Sequence, residues 1–364
     1  MIHFVVREGA DFTIHEYLSL WGRDLAHRFR VLHYENLPSR TSFDRGTYVL
    51  AEFGRLSPGL RSFLAELHRQ LSPVEGIRFL NHPTRTLGRF ELLAELRRLD
   101  RNEFRAVRAT EDFTALRYPV FVRSDLFHDG ALSPLLRSPR EVDAAIGRAL
   151  LLGRSLKDLL VVEFCDTADA DGFYRKYAAY IVGDRVLARS LAYGHAWMLK
   201  HAQTEFSRPM VEEERDYVLA NPHERQLAEI FAIAGVQYGR IDYAVKDGRI
   251  QTWEINRHPT IGRGPHPPRK RVPPELEPLR EKTKEHFYRG FAAAWEAADL
   301  PDARPAVEVA FDSSTMRGAL ETQPRRGRLL DTARRLLRPV KPLLEPVSRP
   351  VLSLLGRLAR RGQR

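Results

Sequence analysis

The chain has 364 residues, 43% of them apolar and 29% charged, which is enough for two to three globular domains and excludes a mainly disordered chain. No run approaches the roughly 18 uncharged apolar residues that a membrane-spanning helix needs. The net charge of +11 lies almost wholly in residues 324–364, which carry twelve Lys or Arg against two acids and leave +1 for the rest. The nearly neutral body argues against nucleic-acid binding.

The two ends of the chain bear on its location. The start lacks the basic and long apolar segments of a secretory signal, and the single Cys165 cannot form a disulfide framework, so we expect a cytoplasmic protein. Residues 324–364 form a basic tail, in which Arg328–Arg338 has the apolar face of an amphipathic helix. The tail either contacts the inner face of a membrane, or is disordered or docked on a protein surface. Liposome flotation of the full chain and of a chain ending at 323 separates these alternatives.

The first part of the chain alternates strands with helices. Apolar runs predict four strands, at 2–6, 31–34, 47–53 and 77–80. A helical pattern of apolar residues follows Ser57-Pro58, which is a typical helix start. This alternation predicts a mostly parallel α/β domain over residues 1–104.

The rest of the body is predicted to be richer in hairpins. Its predicted elements are strand 120–123, helix 139–152, strand 159–164, hairpin 177–191, helix 222–234, hairpin 238–256 and helix 275–298. We assign residues 105–160 to a small subdomain, 161–298 to a larger one and 299–323 to an irregular linker. The Pro/Gly-rich segment 259–274 is predicted to be a surface loop.

The predicted hairpin 238–256 carries the most informative polar residues, and its loop length decides which side chains meet. If residues 246–248 form a three-residue loop, Asp242 lies opposite Thr252 and diagonal to Glu254, on one face of the sheet. A two-residue loop would shift the pairing by one residue and place the two carboxylates on opposite faces. The three-residue loop is therefore the one that brings the carboxylates together.

With that loop, one face gathers Asp242, Glu254 and Asn256. They offer only oxygen ligands, which suits Mg²⁺ and leaves coordination positions for water and phosphate oxygens. Arg240 on the same face is a candidate cationic partner for the two carboxylates. The alternative is a surface hairpin with solvated charges, since any half-exposed strand shows alternating polar residues.

A strand containing Asp, a tight turn and a strand ending in Glu-Ile-Asn, with Pro259 soon after, resembles the C-terminal part of the ATP-grasp fold. The resemblance spans roughly residues 75–265. It implies an α/β (α+β) fold with an N-terminal parallel subdomain, a small lid subdomain and a C-terminal antiparallel-sheet subdomain. It also implies that Asp242, Glu254 and Asn256 hold two Mg²⁺ ions on the triphosphate of ATP.

The same resemblance implies nucleotide-binding roles at other positions, namely Arg89, Arg123, Glu163, Phe164, Cys165 and Lys176. Arg89 and Arg123 stand where the family has lysines that bind phosphate. Arginine keeps the charge but not the compact geometry of an ammonium group. The lid loop, 124–131, has one glycine, so fewer backbone N–H groups are available to wrap phosphates than in a glycine-rich loop.

The resemblance implies an ATP-dependent ligase, in which a carboxylate becomes an acyl phosphate and an amine or similar nucleophile displaces the phosphate. Arg240 and Lys176 are the catalytic candidates, facing the phosphates or the acyl phosphate. The lid, 105–160, would close over the nucleotide, and loops 193–215 and 257–274 would bind a small-molecule or peptide substrate.

Two other functions stay open. One is transfer of a phosphoryl group from ATP to a hydroxyl, which yields a phosphorylated acceptor. The other is a non-catalytic nucleotide-binding scaffold at a membrane surface, for which Glu254→Gln would leave cellular function unchanged. Neither the substrates nor the oligomeric state follow from the sequence.

Overall fold

The computed structural model describes residues 1–127, 130–200, 203–262 and 272–321. The predicted basic tail and residues 263–271 of the predicted loop 259–274 lie outside these ranges. In chain order the strands and helices are β1 (Ile2–Val6), α1 (Phe12–Leu20), β2 (Phe29–His33), β3 (Ser42–Phe43), β4 (Gly46–Leu50), α2 (Pro58–Leu71), β5 (Ile77–Leu80), α3 (Arg89–Arg98), β6 (Ala106–Arg108), β7 (Val120–Ser124), α4 (Pro139–Leu151), β8 (Leu159–Glu163), β9 (Tyr174–Val182), β10 (Arg185–Gly194), α5 (Arg208–Ala220), α6 (Glu224–Ala234), β11 (Tyr238–Lys246), β12 (Arg249–Asn256), α7 (Glu277–Ala298), β13 (Val307–Glu308) and α8 (Ser313–Glu321).

The chain divides into two compact units. Unit 1 consists of Met1–Leu87 together with the described chain from Thr167 onward, and unit 2 is Gly88–Asp166. The division differs from the predicted domains at 1–104, 105–160 and 161–298. Helix α3 belongs to unit 2, and the N-terminal and C-terminal parts of the chain form a single unit.

Unit 1 contains the predicted parallel sheet, in the order β2-β1-β4-β5. The class of fold expected for this region, parallel α/β, is thereby confirmed. Helix α2 begins where predicted, because the Ser57 hydroxyl accepts a hydrogen bond from the Leu60 N–H at 3.3 Å and Pro58 fits the first turn. Its apolar positions are buried at helical spacing, at Leu60, Phe63, Leu64, Leu67 and Leu71.

An antiparallel sheet, β10-β9-β11-β12, completes unit 1. Its aromatic side chains share a core with the parallel sheet and with α7. Phe4 of β1 meets Tyr238 of β11 edge to face with ring centroids 5.3 Å apart, and Trp295 of α7 at 6.3 Å. Because Trp295 is fully buried in this core, strands near both ends of unit 1 are held by one cluster.

Unit 2 is a three-stranded antiparallel sheet, β6-β8-β7. Side chains of Val120, Val122 and Val161 lie on the face that packs in a common core with α4. Because side chains alternate along a strand, Arg123 lies on the opposite face, where α3 contacts β6. One face of this small sheet is therefore apolar and the other carries a cation.

Two predictions about irregular segments are wrong. Residues 299–323 were expected to be an irregular linker, but β13 pairs with β3 of the N-terminal region and α8 packs on α2. Helix α5, Arg208–Ala220, occupies part of the predicted loop 193–215. Among the residues described, no helix has the length and apolar character to cross a membrane.

Candidate active site

The turn of the β11–β12 hairpin differs from the prediction. Lys246 pairs with Arg249, so the loop is the two residues Asp247 and Gly248. Both have positive φ, 50° and 72°, which is the conformation of a type I′ turn. The expected three-residue loop, 246–248, is therefore wrong, because the Asp-Gly turn already matches the twist of the two strands.

A β-bulge compensates for the shorter loop. Tyr243 pairs with Thr252, but the next pair is Asp242 with Glu254, so Trp253 is an extra residue on β12. The expected pairing of Asp242 with Thr252 is wrong. The bulge shifts the strand by one residue, and this places the two carboxylate-bearing residues directly opposite one another. The sheet thus brings them to one face, though by a different route from the one expected.

The same face extends over three strands. Arg240 pairs with Asn256, two residues beyond the carboxylate pair, so both lie on this face. On β9, Ala178 pairs with Asp242, and Lys176 is two residues further along. We call this set the polar face, and its members are Lys176, Arg240, Asp242, Glu254 and Asn256. The site residues predicted on these strands are all brought together.

Two cations hold the carboxylate of Asp242, which is 8% exposed. Arg240 forks onto it, with Nε 2.8 Å from Oδ1 and the terminal nitrogen Nη2 3.3 Å from Oδ2, and the Lys176 Nζ lies 3.6 Å from Oδ2. Burial alone lowers the pKa of Arg240, but Asp242, Tyr180 and Glu254 outweigh it, and the pKa is raised. Arg240 is therefore the cationic partner that the sequence indicated.

Sequence reasoning missed a second polar cluster in unit 1, at the carboxyl ends of β1 and β4. Glu52 accepts hydrogen bonds from Arg7 at 3.2 and 3.0 Å and from Arg55 at 3.0 Å. Burial alone raises the pKa of Glu52, but Arg7, His258 and Arg55 outweigh it, and the pKa is lowered. Charged residues directly after parallel strands are a signal that could have found this cluster.

His258 connects the second cluster to the polar face. Its backbone N–H donates to Asn256 Oδ1 at 2.8 Å, and its ring Nε2 donates to the Ala10 carbonyl at 2.6 Å. The other ring nitrogen, Nδ1, is 4.0 Å from Glu52. The amide of Asn256 is thus oriented by a residue that is itself held by the segment between β1 and α1.

Unit 2 carries three of the residues for which a nucleotide-binding role was predicted, Glu163, Phe164 and Cys165. Both oxygens of the Glu163 carboxylate accept hydrogen bonds, from the backbone N–H and Nε of Arg105 at 3.0 and 2.9 Å and from the Arg117 N–H at 2.7 Å. The Phe164 N–H donates to the Pro119 carbonyl at 2.9 Å, and Cys165 is buried. The Glu163 carboxylate therefore joins the ends of the three strands of unit 2, and nucleotide binding by this segment stays a prediction.

The two predicted phosphate-binding arginines also lie in unit 2, and both are buried. Arg123, 4% exposed, is the fourth residue of β7. Arg89, 7% exposed, opens α3, and its Nη1 donates to the backbone carbonyls of Ser124, Asp125 and Phe127. Arg89 is thus bonded to the segment that follows Arg123.

The donor set of the polar face fits a magnesium ion. Asp242, Glu254 and Asn256 present carboxylate and amide oxygens on one face, which are the ligands that Mg²⁺ takes from proteins. Across the described ranges no group of three or more His, Cys, Asp or Glu side chains could hold a metal ion, and the polar face itself supplies two carboxylates beside the Asn256 amide. Because Arg240 and Lys176 already neutralise much of the negative charge, an ion here would need further anionic ligands.

Comparisons with known proteins give only distant likeness. No protein-family model and no curated protein matches the chain. Among solved structures it is similar to D-alanine–D-alanine ligase from Bacillus anthracis, in a complex with ATP (11% identity, TM-score 0.44) and in a second structure (12%, 0.45), each match covering 81% of this chain and 99% of that one. The ligase from Coxiella burnetii gives 10% identity and a TM-score of 0.45 over 82% of this chain and 98% of that one. Likeness at this level assigns no activity to the chain.

Proposed function

We propose that the protein is an ATP- and Mg²⁺-dependent ligase of the ATP-grasp type, which activates a carboxylate as an acyl phosphate for attack by an amine. One observation carries the proposal. Asp242 lies directly opposite Glu254, and Arg240 directly opposite Asn256, on one face of the antiparallel sheet. This is the oxygen-donor set that the sequence motif implies, together with a cation that would face a phosphoryl group.

The residues of the polar face divide into two roles. Asp242, Glu254 and Asn256 would hold Mg²⁺, which when bound offsets the negative charge of the triphosphate. Arg240 and Lys176 are about a quarter exposed and carry fixed positive charge beside the carboxylates. They would donate hydrogen bonds to oxygens of the transferred phosphoryl group, where charge develops in the transition state. Arg123 of unit 2 is the further phosphate contact that the family resemblance implies.

The reaction balances in two steps. A carboxylate oxygen of the substrate attacks the γ-phosphorus of ATP, the bond to the bridging oxygen breaks, and ADP leaves. The amine nitrogen then attacks the acyl carbon, inorganic phosphate leaves, and the nitrogen loses a proton to give an amide. The charged residues of the polar face would stabilise both the phosphoryl transfer and the phosphate leaving group.

ADP release in the presence of Mg²⁺, screened over amino acids, small peptides and sugars, tests the proposal. We expect stimulation by a carboxylate and an amine together, with an amide and free phosphate as products. Glu254→Gln removes one anionic oxygen from the polar face and should lower ATP turnover by about 100-fold or more. Glu308→Gln, on the exposed strand β13, is the matched control and should retain wild-type turnover.

The products separate the alternatives. A phosphorylated hydroxyl acceptor without amide would assign phosphoryl transfer instead of ligation. If the wild-type protein binds ATP but releases no ADP with any compound in the screen, the proposal of enzymatic activity is contradicted and a nucleotide-binding scaffold is favoured.

A further inference from the structure

The buried guanidinium of Arg89 makes an unusual set of bonds within unit 2. Its Nη1 donates to three carbonyl oxygens of one short segment, those of Ser124, Asp125 (2.8 Å) and Phe127 (3.1 Å). Hydrogen bonds from a charged donor are roughly twice as strong as those between neutral groups. One side chain at the start of α3 therefore fixes the path of residues 124–127.

Residues 124–127 also bind α3 through a side chain of their own. The Asp125 carboxylate accepts a hydrogen bond from the Phe90 N–H at 3.0 Å, which satisfies a donor in the first turn of the helix. Its other oxygen lies 3.5 Å from Arg108, whose guanidinium covers the Phe90 ring at 4.2 Å. Helix α3 and residues 124–127 thus hold each other through bonds in both directions. We call Arg89, Asp125 and the backbone of 124–127 the Arg89 clamp.

The backbone N–H groups of this segment are used inside unit 2. The Asp125 N–H donates to the Asp158 carbonyl at 2.8 Å, and those of Leu126 and Phe127 donate to the Ser124 hydroxyl at 3.3 and 3.2 Å. A glycine-rich phosphate-binding loop instead leaves its N–H groups open toward the anion. Residues 125–127 therefore cannot serve as an amide cradle without breaking bonds that the structure already makes.

We infer that Arg89 is a positioning residue, which fixes residues 124–127 and thereby the end of β7 that carries Arg123. Phosphate binding at the end of this strand is then a role of the Arg123 side chain and not of the backbone amides of residues 125–127. The inference rests on the proposed function for the identity of the ligand. It reassigns Arg89, which the family resemblance would place on phosphate. It also explains how residues 124–127, which contain no glycine, can begin a loop that is expected to be glycine-rich.

Hydrogen exchange followed by mass spectrometry tests the clamp in the nucleotide-free full-length protein. Amides of 125–127 should be protected in the wild type, and adding MgATP should change their exchange little because they already have partners. Arg89→Met should raise their exchange at least tenfold while leaving strand β8 protected. Arg98→Met, which removes an exposed i,i+3 pair with Glu95 on the same helix, is the matched control.

Binding of MgATP measured by calorimetry tests the consequence for Arg123. Arg89→Met and Arg123→Met should each raise the Kd about tenfold, the loss expected for about one charge-assisted hydrogen bond. Only the Arg89 variant should alter exchange at 125–127. Arg89→Lys should behave like Arg89→Met, since lysine is one bond shorter and cannot reach the same three carbonyls.

Three outcomes would overturn the inference. Rapid exchange of 125–127 in the wild type would show that the clamp does not order the segment. An Arg89→Lys variant with wild-type affinity and exchange would make Arg89 a point charge on phosphate. Loss of protection throughout unit 2 in Arg89→Met would reduce Arg89 to a general stabilising role. If the wild type does not bind MgATP, the proposed function fails, and the exchange measurement still decides whether the clamp exists.

Discussion

At the scale of single residues, the polar face depends on the shape of one guanidinium group. Arg240 meets the Asp242 carboxylate through two nitrogens, a fork that a lysine ammonium cannot reproduce. The carboxylate is thereby oriented in a position that is almost closed to water. Arginine is therefore expected to matter here for its geometry as well as for its charge.

Arg240→Lys tests this geometry. We expect ATP turnover to fall about 100-fold, because the fork and the directed donors are lost while the positive charge remains. ADP release at saturating ATP is the measurement. Arg249→Lys, an exposed position on the same hairpin, should be neutral. Full turnover in Arg240→Lys would show that charge alone is sufficient.

His3, on β1, gives a pH dependence of stability. Burial is the largest influence on its pKa and lowers it from 6.5 to about 4. The charges of Arg30 and the N-terminus also lower this pKa, whereas the hydrogen bond to the Arg45 carbonyl and the charge of Asp44 raise it by less. As the pH falls, the unfolded chain binds a proton at His3 before the folded protein does. The part of the free energy of unfolding that depends on a neutral His3 is therefore complete above pH 6.5 and is lost between pH 6.5 and about 4. Its full size is about 3 kcal/mol.

The variant His3→Phe keeps an aromatic ring beside Tyr48 and removes the titration. Its unfolding free energy should fall less steeply than that of the wild type between pH 6.5 and 4, as measured by urea denaturation. Leu20→Gln, at an exposed position, changes no titratable group and should leave the wild-type slope unchanged. Identical slopes for His3→Phe and the wild type would contradict the assignment.

The sequence predicted part of this site and missed the rest for a physical reason. Asp242, Arg240 and Glu254 lie within one hairpin, so their proximity is local in the sequence, but their common face depends on the bulge at Trp253, because the expected three-residue loop is absent. The cluster of Glu52, Arg7 and His258 joins segments some 200 residues apart, and no local pattern encodes that pairing. Its residue types were visible, but their proximity was not.

At the scale of elements, the β11–β12 hairpin shows how turn and bulge act together. The Asp-Gly turn sets the register, and the extra residue Trp253 corrects it before Asp242 is reached. The turn is readable from the sequence, since Asp-Gly is a strong type I′ signal. The bulge is not, because nothing in the alternation marks Trp253 as unpaired, and the position of the bulge depends on packing against neighbouring strands.

Gly248→Ala tests the turn. The φ of 72° is costly for alanine, and no atom lies within 4 Å of the added Cβ, so the cost is one of backbone conformation alone. We expect the free energy of unfolding to fall by about 1 kcal/mol, measured by urea denaturation. Asp247→Asn, which suits the same turn, should be neutral or slightly stabilising. Equal stability of Gly248→Ala and the wild type would exclude the type I′ geometry.

Helix starts are the elements that sequence reasoning handles best, and α5 is an instance where the signal was overlooked. The Ser207 hydroxyl accepts a hydrogen bond from the Met210 N–H at 3.5 Å, with Pro209 in the first turn. Ser57-Pro58 and Ser138-Pro139 open α2 and α4 in the same manner. The start of α5 was therefore available from the sequence, because a capping serine followed by proline is a local feature.

At the scale of the whole molecule, residues 299–321 return the chain to the first strands of unit 1. The N-terminal ammonium of Met1 forms an ion pair with Asp299 at 2.5 Å, and Val307 pairs with Phe43. Ala319 of α8 is buried in the core that surrounds α2. Such contacts join residues almost the full described length of the chain apart. No local sequence pattern reveals them, and for this reason residues 299–323 were expected to be a linker.

Ala319→Glu tests whether α8 belongs to this core. A buried carboxylate without a partner should lower the free energy of unfolding by several kcal/mol, on the order of 3. Leu320→Glu, at the neighbouring residue that is 50% exposed, should change stability by less than about 0.5 kcal/mol. Thermal denaturation of the two variants gives the comparison. Equal effects would show that α8 does not dock on α2.

Unit 2 interrupts the sequence of unit 1, and this order along the chain has a consequence for biosynthesis. Phe4 of β1 packs against Tyr238 and Trp295, which the ribosome adds more than 230 residues later. During translation the apolar surface of the N-terminal segment therefore stays exposed to solvent until those residues are made, whereas Gly88–Asp166 forms a core of its own. The first 87 residues are thus the part of this chain with most need of a chaperone during translation.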